Sequence, residues 1–499
     1  MSLIEPKQRH VARGPHAPDA DEQRTFDLVV VANRLPVARD VDEEGSCVWK
    51  TSPGGLVTAM EAVMRGRDGA WVGWTGDTDE VPEPFDLAGS THLVPLPMDA
   101  QEVCDFYEGF SNATLWPLYH DVISTPAFHR RWWEAYRRVN QRFAEAAAAC
   151  AAPGATVWVH DYQLQLVPDL VRQLRPDVRI GWFNHIPFPA AELFAQLPWR
   201  EDVLRGLLGA DLLGFQRQSD VDNFVRTCTR VLGATGEDNL ITWSGAGADG
   251  GKTPHRVRVA AMPISTDAGE IQELARSEQV LARAREIRNS LGDPENLLLG
   301  VDRLDYTKGI RHRLRAVSEL FAEGELVAGR DAFVQVATPS RDRVAAYRDL
   351  RHEIESMVGS INGDHADLGA TAVHYLHQSQ TREEIVALFL AADVLVVTPL
   401  RDGMNLVAKE FVAARVDGTG RLVLSEFAGA ADELAPAYVC NPHDIGGLKR
   451  TILRAMQDEP EARRRMDTMR AHVLAHDVHA WAAGFLDVLE AGRSQVPRD

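Results

Sequence analysis

Short apolar runs alternate with longer segments of helical periodicity along the first half of the chain. The segments Arg131–Cys150 and Val221–Leu232 space their apolar residues three or four apart, which predicts amphipathic helices. Four apolar runs have the length and content of buried strands: Phe26–Ala32, Val157–His160, Ile180–Asn184 and Leu212–Phe215. Strands that alternate with helices in this way predict an α/β domain with a mostly parallel sheet.

The same alternation recurs in the second half. Predicted helices cover Ile310–Glu323, Ala345–Met357 and Arg382–Ala391. Five predicted strands separate them: Asn296–Val301, Phe333–Ala337, Ala372–Leu376, Val394–Thr398 and Arg421–Ser425. We therefore expect two domains, 25–262 and 263–476. Their sheets leave a cleft between the carboxyl edges, where ligands bind in open α/β folds.

The segment from Val394 to Arg415 combines a strand, a polar glycine-containing turn and a helix from Met404 onward. The first backbone N–H groups of such a helix have no partner within it. They point to the carboxyl edge of the sheet, where they can bind a phosphate or a diphosphate. Asp402 in the turn can accept hydrogen bonds from sugar hydroxyls, and Glu410, two turns into the helix, can reach a ribose.

A second strand end carries two cations. Arg303 and Lys308 follow the predicted strand Asn296–Val301, so both project from the ligand-bearing edge. A guanidinium and an ammonium group on one loop can hold both phosphates of a nucleoside diphosphate. A chain with a net charge of −19 needs such local cations if it is to hold phosphate against its own field.

Other predicted strand ends add polar and charged groups. His160 and Asp161 close one strand and His185 follows the next one, so these side chains can meet in one cleft. They could serve sugar hydroxyls or proton transfer. Arg34 follows the first strand and Arg341 follows a strand of the second half.

Two aromatic residues, Tyr107 and Trp116, lie in a stretch that we expect to be a loop. Their faces suit stacking on a pyranose ring, and their O–H and N–H groups can donate to phosphate or sugar oxygens. Packing into a small apolar core is an equally good interpretation of their pattern.

Residues 246–253 (AGADGGKT) fit a loose phosphate-loop pattern, which requires a strand before it and a helix after it. Here Pro254 follows at once and a strand-like run comes next, so we interpret 245–254 as a flexible insertion. The sequence contains no H-E-x-x-H motif, no paired Cys/His spacing and no G-x-S-x-G motif. It therefore gives no support to metal-dependent or serine-triad chemistry.

Composition narrows the class of protein. The chain has 499 residues, of which 45% are hydrophobic and 25% are charged, as in soluble proteins with more than one domain. The charge of −19 argues against nucleic acid and anionic membranes as partners. The five cysteines are far apart, as in reduced cytoplasmic proteins, and no apolar run approaches a membrane span. Residues 1–24 lack the apolar core of a signal peptide and predict a disordered tail.

Ten segments occur in an order typical of one enzyme family: VVVANRLPV, SPGGL, GFSNATLWP, VHDYQL, FNHIPFP, LLGFQ, VDRLDYTKGI, ATPSR, TPLRDGMNLVAKEFVAAR and LSEFAGAADEL. By these segments the chain resembles the retaining trehalose-6-phosphate synthases from about Phe26 to about Leu489. The resemblance implies the GT-B architecture, an α/β fold of two Rossmann-like domains whose parallel sheets face each other across a deep cleft. The N-terminal domain would bind the acceptor and the C-terminal domain the nucleotide sugar. A C-terminal helix within 477–499 would pack back on the N-terminal domain.

The resemblance also implies the reaction and the residues that serve it. Glucose would pass from a nucleoside-diphosphate glucose to glucose 6-phosphate with retention of configuration and without a metal or other cofactor. The implied catalytic residues are Asp161, His185, Arg303, Lys308 and Asp402. The implied donor-binding residues are Gly55, His185, Arg303, Lys308, Asp402, Asn405, Leu406, Val407 and Glu410. The implied acceptor-binding residues are Arg34, Tyr107, Trp116, Asp161 and Arg341.

Partners and alternatives follow from the same resemblance. It implies a cytoplasmic homo-oligomer, a tetramer, that acts on small molecules and hands its product to a separate trehalose-phosphate phosphatase. Two alternatives stay open. One is a synthase of the same fold that acts on another phosphorylated acceptor such as glycerol 3-phosphate, and the other is a non-catalytic regulatory member. The sequence does not fix the donor base among UDP-, GDP- and ADP-glucose.

Overall fold

The computed structural model describes residues 24–41, 47–51, 57, 60, 63–64, 67–78, 81–87, 91–244, 254–341 and 344–491. Gly55 lies outside these ranges. The predicted tail 1–24 and the predicted insertion 245–254 also lie outside them, except for residues 24 and 254. Among the described residues no helix is long and apolar enough to cross a membrane.

The N-terminal half folds around a ten-stranded sheet. Its order is β10-β11-β12-β9-β8-β7-β1-β4-β6-β5, and β2 and β3 form a separate two-stranded ribbon. The strands are β1 (Phe26–Arg34), β2 (Val37–Val41), β3 (Cys47–Thr51), β4 (Gly69–Trp74), β5 (Phe85–Leu87), β6 (Thr91–Leu96), β7 (Ala151–His160), β8 (Arg179–Phe183), β9 (Leu212–Phe215), β10 (Thr235–Glu237), β11 (Leu240–Trp243) and β12 (His255–Ala261). The central strands pair in parallel, and antiparallel pairs occur at the two edges.

Strand β1 shows why these runs are continuously apolar. Val29 and Val31 pack into one core cluster, whereas Leu28 and Val30 pack into another. Successive side chains of a strand point to opposite faces, so both faces of this sheet are buried. An apolar run without alternation is the sequence pattern that such a position requires.

The C-terminal half contains a six-stranded sheet in the order β15-β14-β13-β16-β17-β18, with all neighbouring strands parallel. Its strands are β13 (Asn296–Arg303), β14 (Asp331–Thr338), β15 (Val373–Leu376), β16 (Val394–Val397), β17 (Arg421–Ser425) and β18 (Tyr438–Cys440). The predicted α/β class with two parallel sheets is confirmed. The predicted limits of the domains, at 262 and 476, stay a prediction.

Helices connect the strands of both sheets. The α-helices are Ala100–Glu102, Trp116–Tyr119, Arg130–Cys150, Val167–Leu174, Ala191–Phe194, Arg200–Leu207, Gln218–Leu232, Ala268–Arg276, Glu278–Ser290, Ile310–Ala322, Ala345–His365, Arg382–Ala391, Leu406–Ala414, Ala430–Glu433, Ile445–Gln457, Glu459–Ala475 and Val478–Ala491. A π-helix covers Val103–Leu115, and short 3₁₀ turns cover Tyr162–Leu164 and Tyr306–Lys308.

The last helix, Val478–Ala491, packs on the N-terminal sheet. The Phe485 ring stacks on that of Trp158 in β7, with 4.4 Å between the centroids. A Cβ atom at Gly181 in β8 would lie 2.6 Å from Phe485, so the absence of a side chain there allows the close approach. The chain thus returns to the first sheet after completing the second.

The segment around Tyr107 and Trp116 is helical, and its prediction as a loop is wrong. Tyr107 lies in the π-helix, and Trp116 begins the helix that continues from it. Tyr107 is half-buried and Trp116 is almost fully buried. Both residues are therefore held by packing on a helix and not by a mobile connection.

Gly309, just after the turn that carries Lys308, gives a test of the local fold. Its φ is +65°, and a Cβ atom there would lie 2.0 Å from the carbonyl oxygen of Thr398. We expect Gly309→Ala to lower the stability by roughly 3 kcal/mol or more, because left-handed strain adds to a backbone clash. Gly324→Ala is the matched control, since its φ is +76° but no atom lies within 4 Å of the added Cβ.

The control variant should lose only about 1 kcal/mol, the cost of the left-handed backbone alone. Thermal unfolding of the two variants beside the original protein measures the difference. Equal losses for both would show that the contact with Thr398 is not tight in solution.

Candidate active site

A cavity of about 600 Å³ lies between the carboxyl edges of the two sheets. The ends of β1, β7 and β8 form one wall, and the segments after β13, β14 and β16 form the other. It brings together nine of the predicted residues: Arg34, Tyr107, Trp116, Asp161, His185, Arg303, Lys308, Arg341 and Asp402. The simple rule that ligands bind at carboxyl strand ends therefore selects side chains that converge here.

Lys308 and Asp402 are paired in the wall formed by the C-terminal sheet. Lys308 Nζ donates to Asp402 Oδ2 over 2.5 Å, and the two side chains are 12% and 14% exposed. Asn405 Nδ2 donates to the same oxygen over 3.1 Å. Burial alone would raise the pKa of Asp402, but Lys308 and Asn405 outweigh it, so the pKa lies below its ordinary value. The carboxylate is ionised at neutral pH.

Arg303 ends β13 beside this pair, and its side chain is exposed. Its guanidinium carbon lies 5.5 Å from the centroid of the Trp116 ring. With Lys308 it gives this wall two positive charges that an anionic ligand in the cavity can reach. Phosphate groups are recognised by such a combination of a planar guanidinium and a compact ammonium group.

Asp305, fully buried, fixes both the turn with Lys308 and the side chain of Arg341. Its Oδ1 accepts from Thr307 N (3.0 Å), and its Oδ2 accepts from Arg341 Nη1 (3.1 Å) and Tyr347 Oη (3.0 Å). Burial raises the pKa of Asp305, but the neighbouring arginines more than offset it, and the pKa lies below its ordinary value. One carboxylate therefore positions two cationic segments of the same wall, the turn after β13 and the segment after β14.

Arg341 lies flat over Trp116, with its guanidinium carbon 3.8 Å from the ring centroid. Its backbone is left-handed (φ +53°) and its side chain is 6% exposed. Its Nη2 donates to Tyr162 Oη over 3.3 Å. Among the described residues, neither Arg341 Nε nor Trp116 Nε1 has a hydrogen-bond partner. A buried donor without a hydrogen-bond partner is costly to the fold.

Arg34 and Tyr107 complete this part of the wall around a shared aromatic neighbour. The guanidinium of Arg34 lies 4.7 Å from the Trp74 ring centroid, and the Tyr107 ring lies 5.9 Å from the same ring edge-on. Trp74 in β4 was not predicted to take part. It supports Arg34 through a cation–π contact.

Asp161 is held in a conformation that is normally available only to glycine, with φ +74° and ψ 172°. Strain of this kind costs roughly 1–3 kcal/mol and concentrates at functional sites. Asp161 N donates to Phe183 O (2.8 Å), and His185 N donates to Asp161 Oδ1 (3.1 Å). Burial raises the pKa of Asp161 to about 6, although the backbone N–H groups of Tyr162 and His185 and the nearby arginines lower it in part.

His160 and His185 lie side by side, with 3.1 Å between His160 Nδ1 and His185 Nε2. Burial lowers the pKa of His185 to about 3 and that of His160 far below its ordinary value. Both rings are therefore neutral at pH 7, and one of them donates to the other. His185 is thus suited to hydrogen bonding with sugar hydroxyls and poorly suited to act as a cation.

Four predicted residues lie beside the cavity and not in its wall. Asn405 caps the helix Leu406–Ala414, since its Oδ1 accepts from Ala408 N over 3.1 Å. Leu406, Val407 and Glu410 are half-buried in the first turns of this helix. Burial raises the pKa of the Glu410 carboxyl group. The helix start follows directly from Asp402, so it can meet the part of a ligand that extends out of the cavity.

The sequence analysis missed several residues of the site. Asn33 and Gln163 line the cavity at the ends of β1 and β7, so the strand-end rule could have found them. His120 and Tyr347 carried no such pattern, because their places depend on contacts distant in sequence. Asp305 lies between Arg303 and Lys308, so the strand-end rule could have found it as well. Within the described ranges, no three His, Cys, Asp or Glu side chains are grouped as metal ligands.

Comparison with known proteins places these observations in a family. A family model described as glycosyltransferase family 20 matches residues 26–491. The chain belongs to this family. The trehalose-6-phosphate synthase of Mycobacterium bovis is 54% identical over 482 residues, which cover 94% of this chain and 96% of that protein.

Solved structures of the family agree with the fold. An α,α-trehalose-phosphate synthase (UDP-forming) from Burkholderia xenovorans in complex with glucose 6-phosphate gives a TM-score of 0.83 at 33% identity and covers 93% of this chain and 99% of its own. An E. coli structure with bound UDP-2-fluoro glucose gives 0.83 at 32% identity, with 94% and 100% covered. The predicted GT-B architecture is confirmed, and this family 20 member is a glycosyltransferase.

Proposed function

We propose that this protein transfers glucose from UDP-glucose to glucose 6-phosphate with retention, giving α,α-trehalose 6-phosphate and UDP. One observation carries the proposal: a single cavity is lined by four cations, Arg34, Arg303, Lys308 and Arg341. A nucleotide sugar and a sugar phosphate are both anionic, and each needs its own cations in a chain of charge −19. The substrates named for the related structures support this pairing.

The donor would lie against the C-terminal sheet. Arg303 and Lys308 would hold its diphosphate, with Gly55 beside it, and Asp402 and His185 would bond the glucose hydroxyls. Further contacts would come from the start of the helix Leu406–Ala414: backbone amides of Asn405, Leu406 and Val407 for the diphosphate and Glu410 for the ribose. The unpaired N–H groups and positive dipole end of a helix support this assignment.

The acceptor would lie against the N-terminal sheet. Its phosphate would be held by Arg34, Tyr107, Trp116 and Arg341, whose side chains all line the cavity. The Asp161 carboxylate would accept from a hydroxyl of the acceptor sugar. Arginine suits the phosphate because it stays charged at any pH at which proteins fold.

Catalysis would depend on positive side chains that are held in place where the leaving diphosphate becomes negative. As the bond to UDP breaks, negative charge builds up on the diphosphate, and Arg303 and Lys308 stabilise it more in the transition state than in the ground state. For retention we propose a front-face route, in which the leaving phosphate takes the proton of the acceptor hydroxyl. No metal or other cofactor is needed for this route.

The raised pKa of Asp161 gives a pH dependence. Above about pH 6 the carboxyl group is ionised and can accept from the acceptor sugar, whereas below it a proton occupies one oxygen. The phosphate of the acceptor also protonates near pH 6, since the second pKa of phosphate monoesters is about 6. We expect log kcat/KM for glucose 6-phosphate to fall with a slope approaching about 2 on the acid side.

Asp161→Asn removes one of the two titrating groups and keeps the shape of the side chain. Its activity should be lower at every pH, and its acid slope should fall to about 1, because only the phosphate still titrates. Identical slopes in the two proteins would show that Asp161 does not act as an ionised acceptor.

Product analysis tests the proposed function. The purified protein is supplied with UDP-, GDP- or ADP-glucose and with glucose 6-phosphate or glycerol 3-phosphate. We expect trehalose 6-phosphate and UDP when UDP-glucose and glucose 6-phosphate are both present. Turnover only with glycerol 3-phosphate would favour the synthase for another acceptor, and no turnover with any pair would favour the regulatory alternative.

The family resemblance supports three further proposals about the setting of the enzyme. It would act in the cytoplasm and assemble as a homotetramer. A separate trehalose-phosphate phosphatase would remove phosphate from the product. Light scattering of the purified protein tests the assembly.

A further inference from the structure

His120 is a buried residue in the wall of the cavity that the proposed function has not used. It follows the helix Trp116–Tyr119, is 2% exposed and contributes to the cavity wall. Its ring lies against Trp116, with 4.2 Å between the centroids. His120 Nδ1 lies 2.7 Å from the backbone oxygen of Trp116.

This contact fixes which ring nitrogen carries the hydrogen. A carbonyl oxygen can only accept, so Nδ1 of His120 must be the donor. Burial lowers the pKa of His120 to about 4, so the ring is neutral at pH 7. Nε2 is then an unprotonated acceptor. Among the described residues nothing donates a hydrogen bond to Nε2. This nitrogen is also not one of the buried polar atoms that lack both a partner and any accessible surface.

The charges that act on His120 indicate which substrate it meets. His120 lines the same cavity as Lys308 and Asp402, which are assigned to the donor diphosphate and the donor glucose. Both charges, with Asp305, also act on the pKa of its ring. The nitrogen without a partner therefore belongs with the donor-sugar side of the cavity. Trp116, which is assigned to the acceptor, contacts the face of the His120 ring and makes no hydrogen bond to Nε2.

We propose that Nε2 of His120 accepts a hydrogen bond from one hydroxyl of the transferred glucose and makes the enzyme selective for donors that carry this hydroxyl. The inference rests on the proposed function. A nucleotide sugar without this hydroxyl leaves Nε2, a buried hydrogen-bond acceptor, without a partner. An unpaired buried group is the strongest form of selection that a neutral hydrogen bond provides. We expect the loss to be roughly tenfold to a hundredfold in kcat/KM.

The test compares UDP-glucose with its 2-, 3-, 4- and 6-deoxy analogues in the original protein and in His120→Asn. Asparagine can keep a donor at the position of Nδ1 for the Trp116 carbonyl but has no group at the position of Nε2. Several deoxy analogues should be poor for the original protein, since Asp402 and His185 also bond glucose hydroxyls, and one of these analogues lacks the partner of His120. His120→Asn should lose a similar factor with UDP-glucose itself and nothing more with that analogue.

Several controls separate a contact with substrate from a structural role. The affinity for UDP, which lacks the sugar, and the thermal midpoint should be unchanged in His120→Asn. The proposal is overturned if the variant matches the original protein with UDP-glucose, or if all analogues lower both proteins by equal factors. The proposal is also overturned if the loss in His120→Asn disappears with a deoxy form of glucose 6-phosphate and with no deoxy form of UDP-glucose. His120 would then bind the acceptor sugar. If the original protein makes no trehalose 6-phosphate at all, the proposed function fails, and His120 is not the cause.

Discussion

Replacing Lys308 by alanine is expected to lower kcat by roughly 100- to 1000-fold, the usual effect of removing one group that stabilises charge in a transition state. Lys308 is held in place before any substrate arrives. Its turn is fixed by Asp305 at Thr307 N and by Leu400 N, which donates to Thr307 O over 2.7 Å. A cation that needs no rearrangement when the leaving diphosphate becomes negative is an effective catalyst.

The loss of Lys308 has a second consequence. Asp402 would keep its burial but lose the cation 2.5 Å away that holds its pKa down. Its pKa would rise, and a protonated carboxyl group accepts less well from sugar hydroxyls. We therefore expect the kcat of Lys308→Ala to fall more steeply at acid pH than that of the original protein.

Arg311→Ala is the matched control for Lys308→Ala. Arg311 lies three residues later, is 40% exposed and pairs with Glu353 over 3.0 Å on the outside of the molecule. Its removal changes the net charge equally but should leave kcat within a factor of about two, since exposed ion pairs contribute little. A Lys308→Ala variant as active as Arg311→Ala would refute the assigned role of Lys308.

Replacing Arg341 by alanine is expected to lower kcat/KM for glucose 6-phosphate by about 100-fold or more. Hydrogen bonds between a guanidinium and a phosphate are charge-assisted and each is worth roughly 1.5–3 kcal/mol. Arg341 is oriented for this contact by Asp305, Tyr347 and the Trp116 ring. Arg341→Lys keeps the charge but loses the planar guanidinium, so its kcat/KM should lie between those of the original protein and Arg341→Ala.

Unphosphorylated glucose as acceptor separates binding of the phosphate from damage to the site. The original protein should use glucose poorly, and Arg341→Ala should use it equally poorly. Glucose has no phosphate, so it makes no contact with Arg341 that the variant could lose. A similar loss with glucose and with glucose 6-phosphate would contradict the role in phosphate binding. Thermal unfolding of the variant is needed as well, since Asp305 would be left buried without its cation.

The parts of the site that could be predicted share one property: they follow apolar runs directly. Arg303 and Asp161 each end or follow a buried strand, and parallel strands direct their carboxyl ends to one edge. A local pattern is then sufficient, because the position of the strand fixes the position of the residue. Lys308 and Asp402 follow the same rule over a short turn.

The remaining parts depend on contacts that no local pattern reports. The π-helix Val103–Leu115 was taken for a loop because its sequence lacks the usual helical spacing. Gly109 in this helix packs so close to Trp132 that a Cβ atom would lie 2.6 Å from the indole ring. Tertiary packing therefore holds a helix that local propensity does not favour. His120 lies just beyond this region, which is why it could not be predicted.

A structure of the complex with UDP and glucose 6-phosphate bound together measures the central claim most directly. We expect Arg303 and Lys308 on the diphosphate, and Arg34 and Arg341 on the phosphate of the sugar, at about 3 Å as in other charge-assisted hydrogen bonds. Both ligands should lie in the cavity between the two sheets. A complex in which Arg303 and Lys308 point to bulk solvent, away from the bound diphosphate, would contradict the proposed mechanism.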